Sequence, residues 1–289
     1  MDAATPVRTN TARGAVEYAE TGAGAVVLAL HGAMGGYDQG LLLGRAAGAT
    51  ELRYLAVSRP GYLGTPISSG RTPEEQADLC AALLDVLGIG ATGVIAVSGG
   101  GPCALQFALR HRERCWGLVM VSACSATLDV PVPFLFQVMK LMAKWPALPA
   151  FLLRRMEKDP ERAARRSISD AAVRARTVND PEAGPMLAAL RRSSFDRMAL
   201  RLPGTENDIR QTRGHMELRL EELAAPVLVV HGTADPVVPF ASNGKALAER
   251  APNAELLAIE GGEHVCLFTH LGTVRARVGE FLRAHANRA

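Results

Sequence analysis

Apolar residues along this chain fall into short unbroken runs separated by longer stretches of helical period. Ala25 to Leu30 is a partly β-branched apolar run that stops at His31-Gly32, and Leu52 to Val57 stops at the turn signal Ser58-Arg59-Pro60-Gly61. Both read as buried strands. A helix then opens with Thr72 as N-cap, Pro73 at its first position and Glu75 completing a capping box. Leu79, Leu83, Val86 and Leu87 share its buried face, and Gly88 ends it. Gly93 to Val97 is the next strand, followed by Ser98-Gly99-Gly100-Gly101 and a helix reaching about His111, and Trp116 to Ser122 is another strand. From about Thr127 to Glu222 only helical patterns occur, punctuated by Pro131, Pro133, Pro146 and Pro149. Strands return at Pro226 to His231 and Ala254 to Ile259, with a helix around Gly244 to Arg250 between them. The chain closes on an amphipathic helix carrying Val274, Val278, Phe281 and Leu282.

Strands alternating with helices predict an α/β fold: a mostly parallel sheet covered by helices on both faces. The break in the alternation predicts an insertion. Residues 1–127 and 223–289 form the core, and 128–222 form a helical cap. No internal repeat or low-complexity tract is visible.

Composition narrows the partners. The 289 residues are 48% hydrophobic and 21% charged, which excludes a disordered or fibrous chain. A chain of this size buries roughly 75% of its unfolded surface without metal or disulfide support. Its 32 basic and 29 acidic residues leave a net charge of only +3, and aromatics make up 5%, so neither nucleic acid nor an acidic membrane is an expected partner. The five cysteines (Cys80, Cys103, Cys115, Cys124, Cys266) are odd in number and sit among apolar neighbours, as buried thiols in a reducing compartment do. Met1 to Asn10 lacks the basic cluster and apolar run of a secretory signal. No stretch approaches the roughly 18 apolar residues of a membrane span; the nearest, Val130 to Leu153, is interrupted by Lys140 and Lys144. A cytoplasmic protein is expected.

The chemistry concentrates at the strand ends. Ala96-Val97-Ser98-Gly99-Gly100, between a strand and a helix, has the small-x-Ser-x-Gly form of a nucleophile elbow, where the turn leaves no room for side chains two residues either side of the serine. Gly99-Gly-Gly-Pro-Cys-Ala104 also matches a G-x-G-x-x-A dinucleotide turn, and a plain glycine-rich turn fits too. Two later strand ends favour the elbow. Asp235 follows the strand ending at His231, and His264 lies in the loop beyond the strand ending at Ile259. The chain order Ser, Asp, His, each beyond a parallel strand, is that of a hydrolase triad. Asp129 is a substitute acid on the same logic. His264, Cys266 and His270 have a spacing reminiscent of a metal site, but no further ligand cluster accompanies them, so no metal or cofactor is expected.

With these residues in place the sequence resembles the α/β-hydrolase fold serine enzymes over essentially the whole chain outside the insertion. His31-Gly32-Ala33-Met34-Gly35-Gly36 is similar to that family's oxyanion loop. Ser58-Arg59-Pro60-Gly61-Tyr62 resembles its Asp-Arg-Pro-Gly turn, with Ser58 where the family usually has Asp. The resemblance implies Ser98 as nucleophile, His264 as base and Asp235 as its orienting acid. The backbone N–H groups of Ala33 and Gly99 would form the oxyanion hole, with Met34 as the donor if the loop is shifted by one residue.

The cap would choose the substrate. Its apolar stretch, together with Met34, offers Phe136, Met139 and Trp145 as candidate substrate-binding residues and favours a small molecule with an apolar acyl group. The arginines from Arg154 to Arg192 are interleaved with acids and read as a solvated helix surface; an anionic acyl donor is the lesser alternative. The expected activity is hydrolysis of a carboxylic ester through an acyl-enzyme on Ser98. The same triad also supports C–C bond hydrolysis, lyase or perhydrolase chemistry, and a non-catalytic binding protein shares the fold. Self-association is left open.

Overall fold

The computed structural model describes residues 4–286 except 130, 131, 133, 146, 215 and 217, and the side chain of Leu135 is likewise outside the description. Three of the prolines named above as punctuation, Pro131, Pro133 and Pro146, therefore lie outside the described residues.

Among the described residues eight strands form one sheet: β1 (Val7–Thr11), β2 (Gly14–Thr21), β3 (Val26–Leu30), β4 (Arg53–Ser58), β5 (Thr92–Val97), β6 (Cys115–Val121), β7 (Val227–Gly232) and β8 (Ala254–Ile259). Their order is β1-β2-β4-β3-β5-β6-β7-β8. The first two pairings are antiparallel and the other five parallel, which gives the mostly parallel α/β sheet predicted from the alternation. The β1–β2 hairpin is an addition to the sequence reading. Its strands are half exposed, so they lack the continuous apolar run of a buried strand.

Helices cover both faces. Strand β3 is fully buried, and the two-residue period of a strand divides it: Leu28 and Leu30 pack with helices α2 (Pro73–Val86) and α3 (Gly101–Arg110), whereas Val27 and Ala29 pack with α1 (Tyr37–Ala47) and the final helix. The start of α2 is as read: Thr72 accepts from the Glu75 N–H, and Glu75 accepts from the Thr72 N–H.

Among the described residues six α-helices lie between β6 and β7: α4 (Phe134–Met142), α5 (Ala147–Glu157), α6 (Pro160–Ala164), α7 (Ala171–Asn179), α8 (Ala183–Phe195) and α9 (Leu202–Arg213). Three more complete the chain, α10 (Ala246–Arg250), α11 (Cys266–Thr269) and α12 (Leu271–Ala286). Ala164, Ile168, Ala183, Met186 and Leu187 from this helical segment are buried in the core cluster that also holds α1 and α11 residues. Among the described residues no helix is long and apolar enough to cross a membrane.

The topology places the site. The chain passes from β3 to β4 on one side and returns to β5 on the other, so the strand order reverses at β3. The loops leaving the C-terminal ends of β3 and β5 splay apart there, which is where open α/β sheets bind ligands.

Candidate active site

Ser98 is the first residue beyond β5 and has a φ of 50°, the left-handed region a β-substituted residue enters only under strain. The crowding around it explains the small neighbours. A Cβ on Gly32 would sit 3.0 Å from the Ser98 Cβ, and one on Gly100 would sit 2.7 Å from the Leu30 carbonyl oxygen and 2.8 Å from that of His31. These glycines are packed against the protein's own backbone, which accounts for the Gly-rich run without a phosphate to cradle. A carboxylate oxygen of Asp208 lies 3.0 Å from where a Cβ of Gly99 would be, the wrong charge for a dinucleotide site.

The three residues read from the strand ends converge. The His264 Nε2 is 3.1 Å from the Ser98 Oγ, and its Nδ1 is 2.8 Å from the Asp235 Oδ2. The Asp235 side chain is fully buried, and its Oδ1 accepts from the N–H groups of Val237 (2.8 Å) and Val238 (3.0 Å). Burial alone would raise its pKa, but hydrogen bonds from His231 and His264 and from the backbone outweigh it and hold the carboxyl well below the usual carboxylate range. An ionised acceptor at Asp235 fixes the proton of His264 on Nδ1, which leaves Nε2 free to accept from the serine. His231, buried beneath, donates from Nε2 to the Val238 carbonyl at 2.9 Å and lies 3.4 Å from Asp235 Oδ2, so it braces the acid. The substitute acid Asp129 is exposed, and the Nδ1 of His264 is already on Asp235. Cys266 turns inward to Ser122, and the His270 ring goes to the Thr269 hydroxyl, so neither joins His264 in a ligand cluster.

The loop beyond β3 brings Ala33 against Gly99: the Ala33 nitrogen is 3.6 Å from the position of a Gly99 Cβ. Neither the Ala33 nor the Gly99 N–H has a hydrogen-bond partner among the described residues. Met34, the alternative donor, gives its N–H to the Thr205 hydroxyl at 2.9 Å, which places the free donor at Ala33. The Met34 side chain is buried in a small cluster with Met142 and Met198, and Met139 packs on it. Phe136 is buried outside that cluster, beneath the Lys140 ammonium, and Trp145 is 57% exposed. Of the four candidate substrate residues, Met34 and Met139 are brought together; Phe136 and Trp145 are not.

Sequence reasoning missed the polar face that holds this loop. Helix α9 presents Arg201 just before its start, then Thr205 and Asp208, spaced by four and three residues on one side. Arg201 pairs with Asp38 of α1 at 2.6 Å, Thr205 accepts from Met34, and Asp208 pairs bidentately with Arg59 at 2.9 and 2.5 Å. Tyr62 donates to the same carboxylate at 2.6 Å. Burial opposes the Arg59 charge, but the Asp208 carboxylate outweighs it and holds the guanidinium more firmly protonated than usual. Arg59 in turn donates its backbone N–H to His31 Nε2 (3.0 Å) and its Nε–H to the His31 carbonyl (2.9 Å). The buried His31 is kept neutral, chiefly by desolvation, and its Nδ1–H reaches the Gly32 carbonyl at 2.6 Å. Ser58, standing where the resembling turn has Asp, donates to Glu17 at 2.7 Å, so the neighbouring strand supplies a carboxylate there. The i, i+4, i+7 spacing of polar residues was a legible signal, but a buried polar face and a solvated one look alike in sequence.

Comparisons with known proteins agree with this architecture. The family model described as alpha/beta hydrolase fold matches residues 25–271. The chain is 32% identical over 242 residues to a poly(3-hydroxyalkanoate) depolymerase of Ectopseudomonas oleovorans, covering 83% of this chain and 78% of that protein. It is 27% identical over 281 residues to a 2-hydroxy-6-oxononadienedioate/2-hydroxy-6-oxononatrienedioate hydrolase of Burkholderia vietnamiensis, covering 93% and 91%. Among solved structures, an alpha/beta hydrolase fold protein from Nakamurella multipartita superposes with a TM-score of 0.84 at 35% identity, over 97% of this chain and 99% of that one. With the switch-point sheet and the matched span of 247 residues in view, the chain belongs to the alpha/beta hydrolase fold family and is a hydrolase of that fold.

Proposed function

We propose that this hydrolase cleaves a carboxylic ester or related acyl compound through an acyl-enzyme on Ser98. The observation that carries the reading is the unbroken relay Ser98 Oγ–His264 Nε2 at 3.1 Å and His264 Nδ1–Asp235 Oδ2 at 2.8 Å, beside two N–H groups without a partner among the described residues. In the first step the Ser98 Oγ bonds to the substrate carbonyl carbon while its proton passes to His264 Nε2. The carbonyl oxygen takes up the negative charge and is held by the Ala33 and Gly99 N–H groups, each such donor contributing ~3–4 kcal/mol to the transition state. Collapse of the adduct breaks the acyl–oxygen bond, and His264 returns its proton to the departing alkoxide. Water then repeats the sequence on the acyl-enzyme and releases the acid. Asp235 stays ionised throughout and stabilises the imidazolium.

The Met34, Met142 and Met198 cluster supports an apolar acyl group, since methionine side chains repack around unbranched chains. The likeness over 93% of the chain to an oxo-dienedioate hydrolase favours, as a second reading, hydrolysis of a small oxo-acid on the same triad. A series of p-nitrophenyl esters of rising acyl length, run with the Ser98→Ala variant, separates them. The ester reading expects turnover that peaks at a definite chain length and vanishes in Ser98→Ala. No turnover on any ester, with consumption of a 2-hydroxy-6-oxo-dienoate, would replace it with the second reading.

A further inference from the structure

Helix α4 is apolar almost all round (Phe-Leu-Phe-Gln-Val-Met-Lys-Leu-Met), a pattern that calls for cover on more than one side. On one side Met142 is buried with Met34 and Met198, and Val138 and Met139 pack against them, while Phe136 is buried apart from that cluster. Phe134 and Leu141, then Trp145 just beyond the helix and Leu148 and Phe151 of α5, are 39–80% exposed. These five are half of the ten large apolar side chains that are exposed among the described residues, gathered into 18 consecutive positions. A concentration of that kind marks an interaction surface.

The charge around it selects the partner. Between Phe134 and Lys158 the chain carries Lys140, Lys144, Arg154, Arg155 and Lys158 against a single acid, Glu157. Glu157 is paired with Arg192, and Lys140 with Glu206; Lys144, Arg154, Arg155 and Lys158 have no acidic partner among the described residues. A second copy of this chain would bring the same basic set face to face, with like charges opposed. An anionic lipid surface answers both features, because apolar side chains with a tryptophan enter the headgroup boundary while lysine and arginine meet the lipid phosphates. We infer that α4 and α5 form an interfacial wedge that docks the enzyme, without spanning, on an anionic lipid surface. The sequence-based expectation of no membrane partner rested on net charge and span length, and neither registers a local surface of this kind. The inference stands apart from the chemistry assigned to Ser98.

Vesicle flotation and Trp145 emission test it on the full chain. Phosphatidylglycerol vesicles are expected to carry the protein up the gradient and shift its emission to the blue, the shift disappearing in Trp145→Phe. Phosphatidylcholine vesicles should bind at least tenfold less, and salt should weaken binding to the anionic ones. Phe134→Ser/Leu141→Ser/Phe151→Ser should lose vesicle binding at least tenfold with an unchanged melting curve, since the three side chains are exposed. Lys144→Glu/Arg154→Glu/Arg155→Glu should abolish the preference for anionic lipid. Three results would overturn the inference: no flotation with anionic vesicles, equal binding to neutral ones, or a concentration-dependent dimer in lipid-free buffer that Leu141→Ser abolishes.

Discussion

Replacing Asp208 by alanine removes the hub that ties helix α9 to the loop beyond β3, and the structure sets the size of the effect. The Arg59 side chain is 2% exposed and directs both terminal nitrogens at Asp208, at 2.9 and 2.5 Å. Stripping one partner from a buried ion pair costs about 3–5 kcal/mol, because the remaining charge keeps its desolvation penalty. At about 2–3 °C per kcal/mol for a domain of this size, the melting temperature should fall by roughly 6–15 °C. The Tyr62 hydroxyl, also fully buried on Asp208, adds to the loss. Arg59 fixes His31 by two hydrogen bonds, so its release misaligns the Ala33 N–H. With one of the two proposed oxyanion donors displaced, kcat on an ester should drop about 10- to 100-fold with KM little changed. Urea unfolding at pH 7 gives the stability, and a cycle with Arg59→Met and the double variant gives the coupling, expected at about 2 kcal/mol or more. A loss below about 1 kcal/mol in Asp208→Ala, or additive single variants, would refute the reasoning.

Other expectations follow from the same geometry. Asp235→Asn should lower kcat by about 10³–10⁴-fold, since an amide permits the wrong His264 tautomer. The depressed pKa of Asp235 stabilises the fold at pH values above the unfolded carboxyl value of about 4, and that contribution is lost as the pH falls towards the folded value; urea titrations from pH 7 to pH 2 should show a shallower acid limb in Asp235→Asn. Ser58→Asp, which restores the family's usual residue, should destabilise by about 1–3 kcal/mol because Glu17 lies 2.7 Å from the Ser58 hydroxyl, and adding Glu17→Gln should recover most of it. Gly101→Ala would place a methyl 2.2 Å from the Cys124 carbonyl oxygen, and a loss of soluble protein or of about 3 kcal/mol is expected in denaturant titration.

Buried strands and the strand-end motifs were legible because their causes are local. Val26–Leu30 and Val227–Val230 are apolar throughout since both faces are covered, and the small residues around Ser98 follow from one tight turn. The β1–β2 hairpin was not legible, since its mixed polar and apolar residues meet solvent on one side and take their strand form from pairing with β4. Long-range polar pairing was equally hidden. Arg59 and Asp208 are 149 residues apart, and nothing near either announces the other. Glu17 facing Ser58 is set by strand register, which a sequence motif does not contain. The apolar neighbours of Trp145 predict a pocket residue, yet a largely apolar stretch gives no signal as to which of its side chains face inward, and Trp145 is exposed.

The relay centred on Ser98 is tested most directly by covalent trapping. Incubation with a fluorophosphonate, followed by peptide mass spectrometry, should give one adduct, on the peptide and at the residue of Ser98, with no adduct in Ser98→Ala and slow labelling in a His264→Ala variant. Labelling at another residue, or undiminished ester turnover by Ser98→Ala, would contradict the account.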